Sequence, residues 1–231
     1  MNKKKQLGLI VAMILLYGNS FGQTKELRSE QNKVNEKSAE TYFDLMITTA
    51  STNLNYGSSN SAFSDYKKET KGIHAGVSFQ AGISSKFSLV SELYYIRKGG
   101  ELTANNPLTN QNTILRLNAV ELPVLARFHF GKFYLNAGPS IAYNFSGTRK
   151  IDDVSTAISF NNSIDAFKRL DAGIQVGGGI IFPIKQKRLA LDFRYCYGLT
   201  NISYDKQMFS RGLIISVHFS TPWKTNPLGK K

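Results

Sequence analysis

His218 and Ser220 lie two residues apart, the spacing at which side chains leave a β-strand on the same side. An imidazole beside a hydroxyl is the beginning of a nucleophile–base pair, but such a pair also needs side-chain contact and a third, orienting group. No acid occurs in the surrounding run 213–222, so hydrolysis is not expected there. His74, His129 and His218 fall on one set of alternating positions, which raises the question of a metal site. At about 3.3 Å per strand residue, His74 sits near the far end of its segment and the other two near the opposite end of theirs. They are too far apart to share an ion, and no metal is expected. Gly177-Gly178-Gly179 has neither a helix start nor a Lys-Ser/Thr after it, so the glycines read as space for bulky groups from opposite strands. Asp152, Asp153 and Asp165 lack the regular oxygen spacing of a calcium loop and read as solvated surface.

What must position these groups is a set of strands. From Phe133 to Phe145 the odd positions are Phe133, Leu135, Ala137, Pro139, Ile141, Tyr143 and Phe145, and the even ones small and polar. Successive strand residues point to opposite sides, so this run has one greasy face and one polar face. The same pattern holds for 73–83, 170–182, 189–199 and 213–219. Each has about the 9–11 residues a tilted strand needs to cross a bilayer. Eight strands are expected, at about 42–54, 73–83, 86–98, 113–130, 132–146, 168–184, 187–200 and 210–220. The first carries the faintest alternation, because Thr48–Asn55 is polar on both faces. Connections at 84–85, 131 and 185–186 are very short, and those at 55–72, 99–112, 147–167 and 201–209 are long and polar. Short turns on one side and long loops on the other are the habit of bacterial outer-membrane barrels. The expected fold is therefore all-β: an eight-stranded antiparallel up-and-down transmembrane β-barrel, its outer loops opposite periplasmic termini.

Alternation alone leaves open which face is inside, since a soluble barrel would turn its apolar set inward. The polar sets are mostly Gly, Ser, Asn, Gln and Ala, which suit a crowded lumen, whereas a soluble surface carries many Lys and Glu. Aromatics also gather near strand ends on the apolar face, as at Phe128 and Phe130, Tyr143 and Phe145, and Tyr195 and Tyr197, like interfacial girdles. With the apolar face outward, Arg97, Arg116 and Lys168 fall beside long loops. A charge there costs about 0–1 kcal/mol, against about 2–4 kcal/mol for Arg or Lys at the midplane. The inward set then includes Glu92, Glu121, Arg127, Asp171, Asp192 and Arg194. Buried charges must be paired and hydrogen-bonded, so these six are expected to form a lumen ionic network, with a Glu92–Arg127 ladder and a second cluster around Arg194. An eight-stranded lumen is filled by side chains, which argues against a general porin.

Lys3, Lys4 and Lys5 precede an apolar run, Leu7–Tyr17, followed by small residues at Ser20 and Gly22. This reads as a secretory signal peptide, 1–22, cut before Gln23; the run is too short for a spanning helix. Residues 23–41 read as a polar periplasmic lead segment, 42–220 as the barrel and 221–231 as a basic periplasmic tail. The formal charge of +13 falls to +10 on loss of the three leader lysines. Such a balance often points to nucleic acid, but export and the scatter of basic residues through loops and tails argue against it. Anionic lipid headgroups at the rims are a better match. The mean hydropathy of −0.23 is compatible with membrane strands, which dilute their own hydrophobicity. The single cysteine, Cys196, allows no internal disulfide and reads as a small lumen residue.

The segments AVELPVLARFHFGKFYLNAGPSIAYNFSG (119–147) and LDAGIQVGGGIIFPIKQKRLALDFRYCYGLTNIS (170–203) resemble the PorT-type outer-membrane β-barrel family of Bacteroidota. The carriers are Glu121-Leu122-Pro123, Gly138-Pro139, Asp171, Gly173, Gly177, Gly179, the Arg194-Tyr195 pair and Gly198–Ile202. Glu92-Leu93 with Tyr95, and Lys98-Gly99, resemble the family's earlier Glu-Leu strand. The chain departs from the usual ending by continuing past Phe219. The resemblance implies an outer-membrane barrel, and its namesake acts in the gliding-associated type IX secretion route. The sequence thus points to a non-enzymatic membrane anchor or interaction protein, working through its loops and periplasmic termini. The alternatives are a PorT-like accessory of a type IX system and, behind it, an outer-membrane lipid-modifying enzyme. Expected partners are outer-membrane lipid, the barrel assembly machinery and, through the resemblance, secretion-system components. No cofactor and no nucleic acid is expected.

Overall fold

The computed structural model describes residues 40–225 and 227–228. The expected leader and nearly all of the lead segment lie outside the described residues. Ten strands follow in chain order: β1 (Tyr42–Asn55), β2 (Lys67–Lys68), β3 (Thr70–Ser84), β4 (Phe87–Leu102), β5 (Thr113–Phe130), β6 (Phe133–Ile151), β7 (Val154–Ala157), β8 (Leu170–Ile184), β9 (Lys187–Gly198) and β10 (Phe209–Pro222). A 3-10 helix occupies Gly57–Tyr66. Eight of the strands close into a ring in the order β1-β3-β4-β5-β6-β8-β9-β10, with β10 pairing back to β1. Every pairing is antiparallel, and the ring closes on itself, with the β3–β4 ladder confined to Gly76–Ser84 against Phe87–Tyr94. The short β2 adds to the upper end of β4, and β7 folds back on the upper end of β6.

These eight are the strands expected from alternation, but several run further outward. β3 begins at Thr70, β4 continues to Leu102 and β6 to Ile151. Alternation fades where the outer face leaves the hydrocarbon, whereas ladder hydrogen bonds need no alternation. β2 and β7 were invisible for the same reason. One irregularity interrupts the β5–β6 ladder: Asn118 pairs with Ser146 and Ala119 with Asn144, so Phe145 is skipped. This bulge shifts the alternation of β6, so that Gly147 rather than Ser146 turns inward.

The barrel is inside-out relative to a soluble protein. Leu135 is 59 % exposed on the outer wall, while its neighbour Asn136 is 2 % exposed within. The same exchange runs through Ile141, Tyr143 and Phe145 outside and Ser140, Ala142 and Asn144 inside. Arg97 and Arg116 do face outward at the long-loop end. Lys168 instead precedes β8 and lies half-buried, its ammonium 5.3 Å from the Tyr204 ring. At the short-turn end Phe87 and Phe128 stack at 4.9 Å. Trp223, just past β10, packs against Phe43 and Phe79.

All four long loops converge above the outer mouth. Leu54, Tyr56, Phe63, Leu102, Leu115, Leu117, Phe167, Ile202 and Met208 form one buried apolar cluster, with Tyr66, Ile158 and Phe160 against it. Backbone bonds stitch the loops together: Phe167 donates to Ser159, Lys168 to Ile202, Tyr204 to Ala166 and Thr103 to Tyr66. The mouth is capped. Cys196 lies in the lumen below this cap and reports its closure. Phe167→Ala should accelerate labelling of Cys196 by a water-soluble maleimide; a loss of about 1.4 kcal/mol of closure raises the rate about tenfold. An unchanged labelling rate would show that the cluster does not seal the mouth.

Candidate functional site

The lumen is the place where polar chemistry is concentrated. At the short-turn end, Arg188 stacks 3.4 Å from the Tyr42 ring centroid and donates to Gln80 Oε1 at 2.6 Å. Gln80 also accepts from Arg127 at 3.2 Å and donates to Ser88 at 2.9 Å, and Ser88 lies 2.9 Å from His129 Nε2. One level up, Asp192 is shared. Its Oδ1 stands 2.6 Å from Arg194 Nε, its Oδ2 accepts from Tyr134 and Asn136 at 2.8 Å each, and Arg127 Nη2 approaches to 3.6 Å. Arg194 Nη2 reaches Glu92 Oε2 at 2.8 Å, and its Nη1 donates to Gln175 Oε1 at 3.0 Å. Gln175 Nε2 in turn donates to Glu121 and to the Tyr94 hydroxyl at 2.8 Å each.

An apolar layer follows, of Met46, Ala50, Tyr94, Ile96, Ala119, Ala142 and Ile214 with Cys196 against it. Above it Lys98 Nζ meets Asp171 Oδ2 at 2.6 Å, and Asp171 also accepts from Thr200 and Ser210 at 3.0 and 2.8 Å. A cavity of ≈ 30 Å³ adjoins this group, lined by Thr52, Lys98, Glu121, Ser140, Asp171, Cys196 and Ser210 among others. It has room for water but not for a solute.

The structure therefore places Glu92, Glu121, Arg127, Asp171, Asp192 and Arg194 all inside the barrel and buried. It joins four of them, Glu92, Arg194, Asp192 and Arg127, in one chain of ion pairs. The expected Glu92–Arg127 contact does not form. Arg127 pairs in register with Ser88, four residues below Glu92 on β4. Glu92 is met instead by Arg194 from β9, four places away around the ring of eight. Sequence heights order residues along neighbouring strands but say nothing about reach across a narrow lumen. Asp44, Lys98 and Arg188 were missed. Stepping by two from Glu92 leads to Lys98, and stepping back from Arg194 leads to Arg188, so parity would have found both.

Asp44 supplies the acid absent from the last strand. It lies opposite Ser220 in register, and its Oδ2 is 3.4 Å from His218 Nδ1. Yet among the described residues no hydrogen bond joins Ser220 Oγ to either ring nitrogen of His218, so the hydroxyl and imidazole do not form a nucleophile–base pair. All three residues are about 1 % exposed. His74 stands elsewhere, against Tyr95. Among the described residues no group of three His, Cys, Asp or Glu could hold a metal ion. Gly177 and Gly179 do make room, though for adjacent strands: a Cβ on Gly177 would meet Phe193 O at 2.0 Å and Arg194 Cγ at 2.7 Å, and one on Gly179 would meet the Tyr134 hydroxyl at 2.3 Å.

The Gly198–Ile202 segment fastens the cap to the barrel. Thr200 Oγ1 accepts from Ala172 N and donates to Asp171, Asn201 Oδ1 accepts from Ser203 N and Met208 N, and Ile202 is buried in the cap.

A closed, antiparallel barrel with an apolar outer wall and a charged, filled interior is a membrane-spanning barrel of the outer-membrane type. Residues 47–204 match the outer membrane protein beta-barrel domain, and the chain belongs to that family. It is an integral protein of the outer membrane. No protein of curated function matches its sequence. Among solved structures it is similar to Ail, the attachment invasion locus protein of Yersinia pestis, at 11% identity and a TM-score of 0.44, over 78% of this chain and 99% of that one. Neisserial surface protein A is similar at 12% identity and a TM-score of 0.43, over 78% and 96%. OprG of Pseudomonas aeruginosa is similar at 10% identity and a TM-score of 0.39, over 80% and 95%. None of these likenesses bears on what this chain binds or does.

Proposed function

We propose that this protein is a non-enzymatic outer-membrane anchor whose barrel is closed to solutes and whose work is done at its ends. The observation that carries this reading is the filled lumen: ion pairs link opposite walls, and four loops close the outer mouth over them. The exposed working surface is the β6–β7 hairpin. The four residues of β7 are all exposed, Val154 by 70 %, as is Ile164 in the following segment. The other half of that loop is committed to the cap through Ile158, Phe160 and Phe167.

Two measurements test the reading. Purified protein in planar bilayers should give no discrete conductance steps; regular steps would overturn the closed-barrel view. Tagged protein drawn from gently solubilised outer membranes should bring down partners that a variant with residues 151–157 shortened to a Gly-Ser turn fails to retain. Equal recovery with both would remove the hairpin as the working surface. A second reading, an accessory of a type IX secretion system, is supported by the PorT-like segments at 119–147 and 170–203. It requires that deletion of the gene abolish export of surface proteins and that the pull-down contain secretion components.

A further inference from the structure

We propose that Arg97 and Arg116 form a seat for the phosphate group of a phosphorylated glycolipid in the surrounding outer leaflet. Both side chains stand exposed on the outer wall, on the adjacent strands β4 and β5. Arg97 pairs in register with Asn118, and Arg116 is the next residue up on that face of β5. Such diagonal neighbours lie about 7–8 Å apart at Cα, within reach of one ligand for side chains as long as arginine. Gly99 is paired with Arg116 and adds no side chain beside it.

Among the described residues the terminal guanidinium nitrogens of the pair make no side-chain hydrogen bond or ion pair, whereas the other outward arginines at this rim are held by hydrogen bonds or aromatic rings. Arg211 lies 3.5 Å from the Tyr197 ring centroid and donates to the carbonyls of Gly198 and Ser210. Arg169 lies over Phe160 and beside Tyr143. Arg116, among the described residues, makes no ion pair, side-chain hydrogen bond or ring contact, and no carboxylate lies within 4.0 Å of either Arg97 or Arg116. Arg97 is oriented all the same. Its Nε donates to Asn118 Oδ1 at 3.1 Å, the Tyr95 hydroxyl donates to the same oxygen at 2.7 Å, and Asn118 Nδ2 donates to Ser146 at 2.9 Å. Tethering through Nε leaves both terminal nitrogens of the fork free for an anion, and two planar forks converging on one group match the geometry and charge of a phosphate.

The wall below names the rest of the ligand. Leu93, Val120, Leu122 and Phe145 are exposed directly beneath the pair, an apolar surface suited to acyl chains. A soluble phosphate would not need that wall, and a protein partner would have to enter the bilayer to reach it. A lipid with a phosphorylated head and several acyl chains fits both parts.

The test uses the full-length barrel in phosphatidylcholine vesicles, titrated with diphosphoryl lipid A or with the same lipid after enzymatic dephosphorylation, and follows the unfolding temperature. The wild type should respond to the phosphorylated lipid at roughly tenfold lower concentration, the factor one or two charge-assisted bonds supply. The R97Q/R116Q variant should respond to the two lipids alike, and Arg211→Gln should keep the wild-type difference. If the wild type itself does not distinguish the lipids, or the double variant still does, the proposal fails. If the double variant does not fold, the single variants R97Q and R116Q decide: each should shrink the wild-type difference, and a full difference in both overturns the proposal.

Discussion

Replacing Arg194 with leucine should lower the unfolding temperature of the barrel more than removing Arg127. Arg194 stands between two carboxylates, 2.8 Å from Glu92 and 2.6 Å from Asp192, with all three side chains fully buried. Taking one partner from such a pair leaves an uncompensated charge and costs about 3–5 kcal/mol. Arg127→Leu removes the longer 3.6 Å contact to Asp192, a hydrogen bond to Gln80 and the stacking on Tyr134, but it leaves Asp192 with Arg194, Tyr134 and Asn136. Heat-dependent gel mobility of the folded form, together with the loss of β-sheet dichroism, measures both. The E92L/R194L double variant should recover part of the loss, because it removes a charge of each sign. An unchanged unfolding temperature in Arg194→Leu would mean that the lumen chain of ion pairs carries no stability.

Gly177→Val should prevent recovery of the folded, heat-resistant form in most of the protein. The added Cβ falls 2.0 Å from a backbone oxygen of β9 and 2.7 Å from Arg194 Cγ. A backbone carbonyl in a closed ladder cannot move aside as a flexible side chain can. Overpacking alone costs about 1–3 kcal/mol, and displacing Arg194 adds the penalty of a stranded Glu92 carboxylate. Gly178→Ala gives the comparison, since Gly178 lies on the other face and its added carbon meets Tyr134 O at 2.5 Å without touching the Arg194 cluster. It should weaken the barrel less. Equal assembly of Gly177→Val and wild type would overturn the role given to that glycine.

Within the bilayer, alternation made the strands legible, because each position there is either in hydrocarbon or in the lumen. Leu135 and Asn136 show how sharp that division is. Beyond the bilayer the signal ends, so the upward extension of β6 and the turn back into β7 could not be read. The cap was hidden for a different reason. Its members, among them Tyr56, Leu102, Phe167 and Ile202, are single apolar residues in four polar loops, with no period of their own. Their common burial exists only once the ring has closed. The charged lumen residues were legible by parity, but not their partners: Glu92 pairs across the barrel with a residue about a hundred positions later in the chain.

The seam between β1 and β10 has a temporal consequence. All fourteen residues of β1, Tyr42–Asn55, find partners in β10, Phe209–Pro222. The first strand to leave the translocation channel therefore shares its ladder with the last, and the ring cannot close during export. Until Phe209–Pro222 emerges, the chain waits in the periplasm with two open edges and a row of unspent backbone donors, the state in which a carrier must hold it. Stop mutations just before Phe209 should thus yield a degraded polypeptide and no barrel, however much of the other seven strands has been made.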